Sequence, residues 1–199
     1  MNLRLLAIIG IIGAPFLMID TLHNGLNPDV HSSLSGVFNL IYISAWMCSI
    51  VALKKLGALG TSKWAKALYS IQMVFLFMAN VWNLYETIQP GANTFLYKLL
   101  DPFWPFSNLC MLATGITIAV RGNLRGWKRF VPLVVGLWLP VALVAMLIYT
   151  RTPAVLLFVT IYSALAWTTL GIAIYLATQE FEQKGSYLQF GSAAIQHSK

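Results

Sequence analysis

AKALYSIQMVFLFMANVWNLYETI, Ala65–Ile88, is the stretch on which the fold turns. It is long enough to cross a bilayer, which takes about 20 apolar residues as a helix. Its polar side chains fall on one side. At about 100° per residue, with Gln72 at zero, Asn83 lies near 20°, Asn80 near 80°, Tyr69 near 60° and Glu86 near −40°. Val74, Phe77, Met78 and Val81 occupy the other side. A helix divided in this way turns its apolar face to lipid and its polar face to the bundle interior or to a cavity.

The rest of the chain reads alike. Of 199 residues, 58% are apolar and 10% charged, whereas soluble domains carry about 25% charged residues. That much apolar surface has to meet lipid. Six segments qualify or come close: Leu5–Ile19, Val37–Leu53, Ala65–Ile88, Phe103–Val120, Val131–Thr150 and Ala154–Ala177. The expected fold is therefore an all-α integral membrane bundle of six helices over residues 1–178, followed by a tail, 179–199. The tail begins as a helical extension and becomes Gly/Ser-rich.

The first segment is the shortest, and Pro15 should kink it by removing a backbone donor. A signal peptide is the alternative, but Pro15 directly after Ala14 makes a poor cleavage site. The segment is read as a span.

Lys and Arg sort between alternate loops. Lys54, Lys55, Lys63 and Lys66 lie in one, Arg121, Arg125, Lys128 and Arg129 in another; with Arg4, Lys184 and Lys199 they make eleven of the thirteen. Only Lys98 and Arg151 lie on the opposite side. The positive-inside rule makes the richer side cytoplasmic, so both termini are expected inside, in a bacterial inner membrane. The net charge of +7 is thus topological; no basic stripe marks a nucleic-acid surface. Cys48 and Cys110 fall inside apolar segments and form no CxxC pair.

Several chemistries lack their residues. No lysine lies deep in a span to anchor a retinal Schiff base. The histidines, His23, His31 and His197, lie in loops or the tail, away from any buried haem. Neither HExxH, a GxSG-type serine, a Walker loop nor GxGxxG occurs. No cofactor is expected. The first outer loop carries Asp20, His23, Asp29 and His31 without a tight metal-ligand pattern. FWPFSN, Phe103–Asn108, suits an aromatic belt at the interface, together with Trp82 and Tyr85.

The candidate site is an outward-facing polar vestibule. Gln72, Asn80, Asn83 and Glu86 would line it, joined by Asp20 from the first span, Asn39 from the second and Asn108 from the fourth. The leading expectation is a transporter or channel for a small solute or cation, with Glu86 and Asp20 favouring cations at the mouth. One alternative is a non-catalytic ligand-binding or accessory protein whose Asn and Gln simply join helices. The other is an intramembrane enzyme acting on a lipid or isoprenoid, with Glu86, Asp20 or Asp101 as acid/base. The expected partners are the bilayer and a small solute, cation or lipophilic ligand, with a homo-oligomer left open.

Overall fold

A computed structural model describes residues 2–27, 30–121 and 123–196, with side chains up to residue 183. The chain is all-helical, 82% helix, and the described residues form no strand. Five helices are long and apolar enough to cross a membrane, or six if a bent helix pair counts as one. Asp29, His197 and Lys199 lie outside the described residues.

The elements are α1 (Leu3–Gly13), α2 (Phe16–His23), α3 (Ser33–Lys55), α4 (Lys63–Ile88), α5 (Phe95–Leu100), α6 (Phe103–Arg121), α7 (Val131–Gly136), α8 (Trp138–Tyr149) and α9 (Pro153–Gln196). Polar caps start four of them. The Asn2 side chain accepts from the Arg4 amide, Ser32 Oγ from Ser35, Ser62 Oγ from Ala65 and Thr94 Oγ1 from Tyr97. Each satisfies one amide that the first helical turn leaves without a partner.

Proline divides two of the long apolar stretches. Pro15 separates α1 from α2, which together are still long and apolar enough to cross a membrane as Leu3–His23. Between α7 and α8 the chain bends by 44°. Pro140 has no amide to offer the Gly136 carbonyl one turn earlier, so the ladder opens at that point. The tail shows no break at residue 178, since α9 runs as one helix from Pro153 to Gln196. Its backbone continues through Gly185 and Gly191, because the cost of a glycine in a helix is only about 1 kcal/mol.

Helices adjacent in sequence are adjacent in space. The order α1–α3–α4–α6–α7–α9 closes into a ring, with α9 packed back on α1. Close approach at glycines permits this. A Cβ on Gly115 would lie 2.5 Å from Leu133 Cα, and one on Gly36 would lie 2.5 Å from the Thr87 amide nitrogen and 2.7 Å from Asn83 O. Inside the ring runs an aromatic column. Trp46 meets Trp167 at 5.2 Å between ring centroids, Trp167 meets Trp138 at 6.1 Å, and Trp138 meets Trp104 at 5.1 Å. The outside is apolar: Ile12, Phe77, Leu143 and Leu147 are all exposed.

The two ends of the ring differ. At one, Arg4 pairs with Glu182, Lys128 with Glu180, and Arg121 donates to Ser62 Oγ at 2.8 Å. This basic end ties the extension of α9 to the bundle. The other end carries the loop residues 24–27, 30–32, 89–94 and 150–152, and holds the cavity described next.

Candidate functional site

At the end opposite the basic loops, α2, α3, α4 and the α5–α6 junction enclose a cavity of about 310 Å³. The residues reach it by helical spacing. Ser35, Asn39 and Ile43 repeat at i, i+4, i+8 on α3, while Ala79, Asn83 and Glu86 repeat at i, i+4, i+7 on α4. Asp20 projects from α2, His31 from the first loop, and Asp101 and Trp104 from the α5–α6 junction.

Asp20 is buried and held by amides. Asn24 Nδ2 donates to its Oδ1 at 3.0 Å, and Asn39 Nδ2 donates to its Oδ2 at 2.9 Å. Asn24 also donates to Ser35 Oγ at 2.9 Å, which joins α2 to the start of α3. Each carboxylate oxygen has a second lone pair beyond the one accepting an amide proton.

Glu86 is only 2% exposed and collects donors from three separate segments. Tyr97 O–H donates to Oε2 at 2.6 Å, and the Gly91 amide donates to the same oxygen at 3.1 Å. His31 Nδ1 lies 3.0 Å from Oε1, an ion pair when the imidazole is protonated. The carboxylate thus latches the first loop, the loop after α4, and α5 onto the end of α4. Gly91 has φ +64°, in the left-handed region, which the turn needs in order to aim its amide at the carboxylate.

The other residues expected at the site have different neighbours. Gln72 is fully buried between α4 and α6, where its Oε1 accepts from Thr114 Oγ1 at 2.8 Å and its Nε2 donates to Met111 Sδ at 3.4 Å. Asn80 reaches α3, donating to Ser44 Oγ at 3.1 Å, and accepts from Asn83 Nδ2 at 3.4 Å. Asn108 is buried and turned back on its own helix, with Nδ2 on the Trp104 carbonyl at 3.0 Å and no partner for Oδ1. Asp20, Asn39, Asn83 and Glu86 therefore share the cavity wall; Gln72, Asn80 and Asn108 are not part of it. Of the two histidines expected in the first loop, His23 instead ends α2 and packs edge-on against Phe38, and His31 reaches the cavity. Among the described residues, no three His, Cys, Asp or Glu side chains group as a metal site.

Sequence reasoning missed Ser35 and Tyr97. Ser35 carries a weak signal, since Ser32-x-x-Ser35 opens a helix and places a second hydroxyl one turn in. Tyr97 has no local signal, because its partners lie 11 and 66 positions away.

The chemistry of the walls is one-sided. Three carboxylates, Asp20, Glu86 and Asp101, border the space, and among the described residues His31 is the only basic side chain that lines it. Trp82 and Trp104 add aromatic surface, and Trp82 Nε1 is buried without a hydrogen-bond partner among the described residues. Below the cavity the bundle is shut by Leu76, Met111 and the Gln72–Thr114 pair, all fully buried. No family model, curated protein or solved structure matches the chain.

Proposed function

We propose that this chain is an integral membrane protein of six spans, with both termini cytoplasmic, that binds a small organic cation in its outward-facing cavity. The apolar exterior and the concentration of Lys and Arg at one end support the insertion and its direction. One observation carries the ligand class: a cavity bordered by three carboxylates and two tryptophans, with a single imidazole as its basic group. Carboxylates attract a cation, and indole faces favour it further, by about 0.5–2 kcal/mol each. The volume lies at the low end for ligand pockets, about 300–1,000 Å³, and suits a compact molecule.

Carrier-type transport is the activity that we assign to such a site in a membrane, in place of a channel. The closed layer at Gln72, Leu76 and Met111 favours it, because a carrier needs one end sealed while the other loads. Glu86, surrounded by donors, serves as an anchor for the loops, which favours binding over acid/base catalysis.

Titration of the purified protein with choline, tetraethylammonium and small aromatic amines should change tryptophan fluorescence saturably. Neutral and anionic isosteres should not. Asp20→Asn removes the charge and keeps one of the two hydrogen bonds from the amides of Asn24 and Asn39, since a carboxamide has a single acceptor oxygen; it should weaken binding by about 10–100-fold, the range for a charge-assisted contact. Equal binding of anions, or full affinity in Asp20→Asn, would remove the cation reading. Flux of the bound cation into proteoliposomes then separates carrier from receptor: saturable binding without flux assigns the receptor.

Direction has its own measurement. In a chain with Cys48 and Cys110 changed to Ala, a membrane-impermeant maleimide should label Lys98→Cys in intact cells. It should label Lys63→Cys only after lysis. The reverse pattern would invert the topology.

A further inference from the structure

A second cavity, about 420 Å³, adjoins the first and shares Asp20 and Trp104 with it, but its chemistry is different. Its far wall is aliphatic: Leu139, Ala142 and Met146 from α8 face Leu156 and Val159 from α9. Leu143 also lines this space and yet is 58% exposed, so the cavity opens sideways between helices onto the apolar exterior. The 44° bend before α8 sets that helix at an angle to the segment preceding it. At the end of the crevice is Arg151, in the turn between Tyr149 and Pro153, exposed and without an ion pair or hydrogen bond among the described residues.

We propose that this crevice is a lateral lipid site, holding one acyl chain of an anionic membrane phospholipid with its phosphate on Arg151. It rests on the membrane reading above but not on the cation reading. Three features select the occupant. The sideways opening onto an apolar surface admits a chain from the bilayer, where a water-soluble solute does not travel. The guanidinium lies just past the ends of two spans, the depth of a headgroup. Its planar donor fork fits phosphate in two parallel hydrogen bonds. Asp20, at the shared wall, excludes the phosphate from the deeper cavity and leaves Arg151 as the anion end. Lipid would then pack against the Trp104–Trp138 pair, whose ring centroids are 5.1 Å apart, and so against the wall of the cation cavity.

The test is tryptophan quenching by phospholipids brominated on the acyl chain, with full-length protein in bilayers that contain brominated phosphatidylglycerol or brominated phosphatidylcholine. The wild type should be quenched more by the anionic lipid, with an Arg151-dependent preference of about fivefold, what one basic residue near an anionic surface supplies. Arg151→Gln should abolish that part and Arg151→Lys should keep most of it. The turn is exposed, so neither change disturbs packing. An unchanged preference in Arg151→Gln overturns the proposal, as does equal quenching of the wild type by both lipids. Glycerol phosphate added in water should leave the quenching intact; relief by it would mean a site for free phosphate and would remove the acyl chain from the proposal. Absence of quenching by either lipid would overturn the membrane reading along with the site, whereas failure of choline binding leaves this result unaffected.

Discussion

Glu86→Ala is expected to destabilise the protein by about 3 kcal/mol, seen as a shifted midpoint in denaturant titration of the micellar protein. The figure follows from the contacts. Removing a carboxylate that accepts from Tyr97 and Gly91 forfeits two charge-assisted hydrogen bonds, worth about 1.5–3 kcal/mol each, and the donors left behind can recover part of this by turning to water. The His31 contact adds less, because its side chain is 44% exposed and the pair is screened by solvent. Tyr97→Phe, which removes one of these two bonds, should cost about 1.5–2 kcal/mol. Combined with Glu86→Ala it should add little, since both remove the same hydrogen bond. Hydrogen exchange locates the effect: amides in 89–94 and α5 should lose protection while those of α9 keep it. A change of less than about 1 kcal/mol in Glu86→Ala, or uniform loss of protection, would show that the latch is not what orders this end.

Gly36→Leu should be of similar size and act by a different route. Its position on α3 faces the Thr87 hydroxyl and also the α4 backbone; the hydroxyl could turn away, but a Cβ 2.5 Å from the Thr87 amide nitrogen and 2.7 Å from Asn83 O cannot be accommodated by a rotamer change. The helices have to separate. Overpacking of this kind costs about 1–3 kcal/mol, and contact with main chain places it at the upper end. Separation would also move Ser35 and Asn39 away from Asn83 and Glu86, so cation binding should fall together with stability. Gly36→Ala should already show part of the loss. The adjacent Val37, 37% exposed, is the control, and Val37→Leu should leave both readouts unchanged. Full stability in Gly36→Leu would mean that α3 and α4 do not approach as closely as described.

The sequence by itself determined the all-helical class and which segments are apolar enough to span, because these depend on local composition, and the break at Pro15, because proline lacks an amide; α5, the break before α8 and the run of α9 to Gln196 it did not mark. It also determined that Gln72, Asn83 and Glu86 share one face of α4, because azimuth follows from helical spacing alone. The tertiary structure decided what each of them meets. Gln72 and Glu86 have nearly the same azimuth but lie 14 residues apart, so one reaches Thr114 on α6 and the other reaches the loops. Depth and neighbour are properties of helix packing between distant parts of the chain, and no periodicity records them. For the same reason the ring order of the helices, the division of polar residues between cavity and helix contacts, and the sideways opening beside α8 emerge only once the helices are assembled.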